Sequence, residues 1–380
     1  MDEASTLPSK DRLFQTVPPG HPADRGGAAQ PMLIVRDLTK HFPIRSGILN
    51  RKTAAVRAVD GVSFTVLKGE TLGIVGESGC GKSTLARLMM HLLPADAGEM
   101  IFDGEAIDSA RGISLRDLRR NLQMVFQDSY SSLNPRLPIR DSIAYGPRVH
   151  GMTRAAANTA ARDLLEKVGL QPDLFGSRYP HELSGGQKQR VNIARALALQ
   201  PRMVILDEAV SALDKSVEAQ VLNLLAYLKR HFNLTYVFIS HDLHVVQYIS
   251  DRVLVMYLGQ VVEIGPVADI YADPKHPYTM ALLACRLSMN PAERVETPPL
   301  SGDPPNPVNP PSGCRFRTRC PFSEPVCESL SPNLLADPRS QADHLAACHM
   351  VNPASGHTRA GRPPRMTATD GPALRPGRNH

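Results

Sequence analysis

Three strings in this 380-residue sequence have the residue types and spacing for phosphate chemistry, two of them to cradle phosphate and one to hold a metal and activate water. The first is Gly76-Glu77-Ser78-Gly79-Cys80-Gly81-Lys82-Ser83, followed by Thr84. Its glycines let the backbone curl so that successive N–H groups converge on an anion at a helix N-terminus, where the helix dipole also favours negative charge. Lys82 would reach the outer phosphates. Ser83 would offer a hydroxyl to Mg²⁺, a cation that prefers hard oxygen ligands. The second string, Met203-Val204-Ile205-Leu206-Asp207-Glu208, ends an apolar strand with two acids. Neighbouring strand residues point to opposite sides, so Asp207 would hold the Mg²⁺ shell while Glu208, displaced from the metal, would orient and deprotonate an attacking water. The third is Leu183-Ser184-Gly185-Gly186-Gln187 ahead of the apolar run Val191–Leu199. Ser184 and the glycines open a helix, which makes a second, lysine-free phosphate site.

These strings need elements to carry them. Short apolar runs (Leu33–Val35, Thr71–Val75, Met124–Phe126, Met203–Leu206, Tyr236–Ile239, Val253–Met256) alternate with longer helix-like segments from Met32 to about Arg286, the pattern of an α/β domain. Runs that are apolar throughout belong to a sheet covered on both faces. Between about Asn134 and Pro180 the strand signal gives way to helix-like text, with Thr153 as an N-cap and Gly169 as a stop, which predicts a helical subdomain inserted in the core. Residues 1–31 are polar and rich in Pro and Gly, and read as a disordered leader. Residues 287–312 form a linker whose Thr297–Pro311 stretch holds seven prolines, and a small Cys-containing module is expected over 313–350.

The net charge of +6 raises the question of nucleic acid, but five arginines against one acid lie in residues 351–380, which read as a solvated, disordered basic tail. No run approaches the roughly 18 apolar residues of a membrane span, and the first residues lack a secretory signal. The expectation is a peripheral protein at the cytoplasmic face of the membrane, reaching it through a partner.

Taken together, the phosphate loop, the Asp207-Glu208 strand end and the Leu183–Gln187 signature resemble the ATP-binding cassette (ABC) family over about Met32–Ile264. The resemblance implies a P-loop NTPase fold with an inserted helical subdomain, ATP sandwiched between two cassettes, and hydrolysis catalysed by Glu208, His241, Gln127 and Lys82. It implies that Gln127, after strand Met124–Phe126, contacts Mg²⁺ and the attacking water. It places His241, after strand Tyr236–Ser240, at the γ-phosphate, Asp214 in Ser211-Ala212-Leu213-Asp214 at the contact between cassettes, and Phe42 against adenine.

Narrower strings, Gln127–Arg136, Asp207–Asp214, His276-Pro277-Tyr278-Thr279 and Pro310–Pro321, look like the oligopeptide and dipeptide importer ATPases. That branch implies a second, related cassette, two permease subunits, an extracytoplasmic solute-binding protein and no nucleic acid. Ala209 and Ser129 stand where the branch usually has proline, and neither replaces a reacting group. The rival reading, a soluble ABC ATPase acting on nucleic acid or ribosomes, expects fused cassettes or long coiled coil, and neither is in the sequence.

Cys314, Cys320, Cys327 and Cys348 are separated by five, six and twenty residues, which matches neither a zinc ribbon nor a ferredoxin run. A module so poor in large apolar residues is expected to need a staple, and reducing buffers disfavour disulfides. A metal centre follows, with His344 and His349 as alternative ligands. The family resemblance puts a [4Fe–4S] cluster ahead of zinc.

Overall fold

In a computed structural model of the chain, the residues described are 30–46, 51–107, 112–128, 131–285, 305–336 and 343–363. The chain opens with strands β1 (Leu33–Ser46), β2 (Arg51–Val66) and β3 (Thr71–Val75), then α1 (Lys82–Met89), β4 (Ala97–Phe102) and β5 (Glu105–Ala106). Next come α2 (Leu115–Asn121), β6 (Leu122–Val125), α3 (Ile139–Val149), α4 (Arg154–Lys167) and α5 (Pro172–Phe175). Helix α6 (Gly185–Leu197), β7 (Met203–Asp207), α7 (Lys215–Phe232), β8 (Thr235–Ile239) and α8 (Leu243–Ile249) alternate and lead into β9 (Arg252–Tyr257) and β10 (Gln260–Pro266). The remainder is α9 (Val267–Ala272), α10 (Pro277–Ala284), α11 (Pro325–Ser329), β11 (Leu335–Ala336) and β12 (Leu345–Ala346).

The main sheet has the order β11-β12-β10-β9-β3-β8-β7-β6, with β9, β3, β8, β7 and β6 parallel. Every residue of β3, β7 and β8 is buried, because both faces are covered. The pleat sorts their side chains into two cores. Leu72, Ile74, Met203, Ile205, Val237 and Ile239 pack with α1 and the first strands, whereas Val204, Leu206, Tyr236 and Phe238 pack with the helices on the other face. A second, antiparallel sheet has the order β2-β1-β4-β5.

Residues 134–180 contain helices and turns and no strand. In α4 the buried positions Ala157, Ala160, Ala161, Leu164 and Leu165 recur at helical spacing. Thr153 caps this helix, its hydroxyl accepting from the Ala156 N–H, a contact worth about 1 kcal/mol.

The structure departs from the sequence reading in three places. The expected strand Leu33–Val35 is the start of a long hairpin, with β1 and β2 paired from Leu33 opposite Val66 to Ser46 opposite Arg51. Register shifts after Val35, Leu38, Lys40 and Ile44 break the alternation that marks a strand in sequence. The Cys module is joined to the cassette and does not stand apart: β12 pairs with β10, Phe316 is buried in one cassette core and Leu345 packs against the other. Burying Phe316 alone contributes about 2 kcal/mol to docking the module on the cassette. Nor does order stop at Met350. Val351 is fully buried and His357 nearly so, with Nε2 bonded to the Phe322 carbonyl and the Thr358 N–H donating to Glu324, so residues 351–363 are folded. All but residues 30 and 31 of the leader, and the rest of the basic tail, lie outside the described residues, as does most of the linker.

Candidate active site

The four parallel strands β3, β8, β7 and β6 are neighbours, so their carboxyl ends form one edge. The loops that leave this edge are the phosphate loop, His241, Glu208 and Gln127, where an open α/β sheet gathers ligand contacts.

After β3 the chain turns through Gly76–Gly81 into α1. Only glycine fits at two of these positions. At Gly76, with φ +151°, a Cβ would lie 2.3 Å from the Met256 carbonyl oxygen, and at Gly81, with φ +110°, 2.1 Å from that of Ala58. Cys80 is buried beneath the loop, while Ser78 and Gly79 are exposed at its crest and Thr84 follows in α1. The Lys82 ammonium is buried and donates to the carbonyls of Gly76 (2.7 Å) and Glu77 (3.0 Å), which holds it along the loop.

Ser83 Oγ donates to Asp207 Oδ1 at 3.2 Å, so two hard oxygen donors meet beside the loop. Burial pushes the Asp207 carboxyl up and the Glu208 charge adds to this, against the Ser83 hydroxyl and the cations Arg87 and Lys82. This donor pair fits Mg²⁺, whose charge would restore the carboxylate.

Glu208, the next residue, leaves the strand with φ 48°. That left-handed conformation costs a non-glycine residue about 1–2 kcal/mol and is a strain stored at the site. It is held by the Glu208 N–H donating to the Ile239 carbonyl (2.9 Å), and by the Ser211 N–H and hydroxyl donating to the Glu208 carbonyl. The carboxylate stands between two groups: Gln127 Nε2 donates to Oε2 at 2.7 Å and His241 Nδ1 lies 3.5 Å from Oε1. Gln127 and His241 are exposed, and Glu208 is mostly covered. The arrangement can position and deprotonate a water held near Glu208.

Ser184 caps α6 through a closed pair of bonds, its hydroxyl accepting from the Gln187 N–H and its own N–H donating to Gln187 Oε1. Gly186 is pressed onto α7, where a Cβ would meet Val217 Cγ1 at 2.4 Å. Ser184 and Gly185 are exposed, as is Asp214 at the start of α7. Phe42 projects from the hairpin opposite Val56, 36% exposed, with the Lys40 ammonium 5.9 Å from its ring centre.

Sequence reasoning gave no role to two residues that reach the phosphate loop. The Glu77 N–H donates to Tyr278 Oη (2.8 Å), and Arg319 bonds both Glu77 carboxylate oxygens (2.8 and 3.1 Å). Both lie in strings already singled out, His276–Thr279 and Pro310–Pro321, but nothing in those strings names their partner.

Cys314, Cys320, Cys327 and Cys348 line one small cavity with Phe316, Phe322, His349, Met350 and His357. All four are free thiols. Burial pushes Cys314 up to about 11, Cys320 to about 12 and Cys348 higher still, and neighbouring thiolate charges add to each. Among the described residues no group of three or more His, Cys, Asp or Glu side chains is arranged to hold a metal ion. His344 is no alternative ligand. It is fully buried away from the thiols, its Nε2 2.7 Å from Glu263 Oε1, and this pair fastens β12 to β10. His349 does line the cavity, its Nε2 bonded to the Leu330 carbonyl.

Residues 59–211 match the family model for ABC transporters, and residues 262–327 match that for the oligopeptide/dipeptide transporter C-terminal region. The chain is 50% identical to the oligopeptide transport ATP-binding protein AppF of Bacillus subtilis, over 84% of this chain and 98% of that protein. It is 50% identical to a probable peptide ABC transporter ATP-binding protein of Sinorhizobium fredii, over 85% and 91% of the two chains. Among solved structures, the ATP-binding cassette MJ0796, in a dimeric post-hydrolysis state bound to ADP and Pi, is 27% identical with a TM-score of 0.55, covering 62% of this chain and 99% of that one. The cbiO1 component of a Clostridium perfringens ABC transporter complex gives the same identity and TM-score over 64% and 91%.

Proposed function

Since this chain belongs to the ATP-binding subunits of ABC transporters, in the oligopeptide/dipeptide group, we propose that it hydrolyses ATP to energise import of peptides or similar small solutes. The observation that carries the reading is the Glu208 carboxylate held between Gln127 and His241 at the sheet edge that bears the phosphate loop. In this reading residues 76–84 hold the phosphates and Phe42 lies against adenine. Ser83, Asp207 and Gln127 hold Mg²⁺, which when bound offsets charge on the phosphate oxygens. Glu208 takes the proton of the attacking water, Gln127 orients that water, and His241 contacts the outer phosphate.

Ser184, Gly185 and Asp214 are exposed, and the proposal assigns them, with Gly186 and Gln187 behind them, to the ATP site of a second, related cassette. Two permease subunits and an extracytoplasmic binding protein complete the machine, with this chain at the cytoplasmic face. No helix among the described residues is long and apolar enough to cross a membrane. The proposal divides the chain into a cassette over 32–286, its helical subdomain over about 134–180, a linker over 287–312 and the Cys module from 313, now extended to 363. Uptake of labelled di- and oligopeptides by a strain lacking this subunit tests the reading. Restoration by the intact gene, and not by a Glu208→Gln copy, supports it, and uptake restored equally by both would overturn it.

A finer proposal, resting on the resemblance to the importer ATPases and not on the present arrangement of the thiols, is that the four cysteines lining this cavity share a [4Fe–4S] centre. Thiolate coordination by iron would release the raised thiol protons. Anaerobically purified protein is then brown with about four irons per chain. Colourless protein with one zinc selects zinc instead, and metal-free folded protein with four reactive thiols overturns both.

A further inference from the structure

We propose that Arg319, from the Cys module, is a positioning residue for the phosphate-binding loop, acting through Glu77. The inference rests on the ATP-binding reading of that loop. Glu77 is held at three points: its N–H by Tyr278 Oη (2.8 Å), its carbonyl by Lys82 Nζ (3.0 Å) and its carboxylate by both arms of the Arg319 guanidinium (2.8 and 3.1 Å). Two of these three anchors come from outside the nucleotide-binding strings, one from α10 and one from the residue before Cys320.

The fork-to-carboxylate pair is well shielded, with 6% of the Arg319 side chain and 23% of the Glu77 side chain exposed. Planar two-point pairing fixes orientation as well as distance, which a single ammonium does not. Arg319 is itself fixed: its N–H donates to the Phe316 carbonyl (3.0 Å). Its guanidinium lies 6.0 Å from the Tyr257 ring centre, and that ring packs with Tyr278 (4.6 Å) and Phe316 (5.3 Å). The aromatic cluster therefore ties both outside anchors of Glu77 into one unit.

Two consequences follow for an incoming triphosphate. The Glu77 peptide, and with it the carbonyl that aims Lys82, cannot swing. The Glu77 carboxylate, next to the crest of an anion-binding loop, is neutralised before the anion arrives. Both effects act on the bound triphosphate equally in ground and transition state, while Glu208, Gln127 and His241 do the chemistry elsewhere, so Arg319 governs KM and not kcat.

The test uses the full-length chain, with affinity for a fluorescent Mg-ATP analogue measured on the subunit and ATPase kinetics on the assembled transporter. Arg319→Met raises Kd and KM on the order of tenfold, the loss of one charge-assisted pair, with kcat within about twofold. Arg319→Lys recovers part of the affinity. Glu328→Gln, a nearby exposed change in the same module that touches Arg317 and not the loop, leaves Kd as it was. In a Glu77→Gln background Arg319→Met adds little, because its partner charge is gone. An equal Kd for wild type and Arg319→Met, or the same loss with and without Glu77, would overturn the coupling. Wild-type protein that binds no Mg-ATP would sink the ATP-binding reading itself, a distinguishable result.

Discussion

At the scale of single residues, the two consecutive acids at the end of β7 do different work because the strand ends between them. Asp207 keeps strand geometry, turns to Ser83 and is nearly buried; Glu208 takes a left-handed conformation and turns to Gln127 and His241. Replacing Glu208 with Gln keeps the shape and removes the proposed base, so turnover is expected to fall by about 10²–10⁴ while ATP still binds. Hydrolysis and nucleotide affinity of the purified variant check this, and unchanged turnover places the base elsewhere. Lys82→Ala removes a cation from both ground and transition state. Affinity and rate fall together, and loss of rate alone contradicts the assigned role.

At the scale of elements, α10 shows how a capping residue carries a pH dependence. His276 is the N-cap, its Nδ1 accepting from the Tyr278 N–H at 3.0 Å, and burial pushes its pKa down to about 4, with Glu263 opposing. Unfolded, the imidazole titrates near its ordinary value of about 6.5. Between those two values the unfolded chain binds more protons than the folded one, so stability is lost as pH falls through the window, by up to about 3 kcal/mol. Denaturation midpoints measured from pH 7 to pH 4 show this loss. His276→Asn keeps an acceptor at the cap and flattens that part of the curve, and an unchanged slope assigns the dependence to other groups.

At the scale of the whole molecule, one chain presents a phosphate loop and an exposed Ser184-Gly185 pair at the start of α6, which the two-cassette proposal assigns to a partner's site. The isolated subunit is expected to hydrolyse ATP slowly and to speed up when a second cassette and permease are added. Steady-state ATPase rates with and without the partners decide this, and full activity in a monomeric sample would contradict the two-cassette proposal. The fold also joins its C-terminal module to this site. Strands β12 and β11 extend the main sheet, and Arg319 and Tyr278 meet at Glu77, so the module reaches the phosphate loop through a few contacts.

Much of this was legible in the sequence, because local motifs encode local geometry. The phosphate loop, Asp207-Glu208, Ser184–Gln187 and the Thr153 cap each arise within a few residues, from glycine, proline or a short polar side chain acting on its own backbone. Fully apolar strands such as Thr235–Ile239 announced a covered parallel sheet, since only burial on both faces permits them. What only the tertiary structure decided lies across long separations. The β1–β2 hairpin was hidden because bulges erase period-2 alternation. The Arg319–Glu77 pair spans 242 residues, and the His344–Glu263 pair 81. A charged residue's sequence neighbours do not state which opposite charge it will meet, because that partner is chosen by how the sheet is ordered and the module docked.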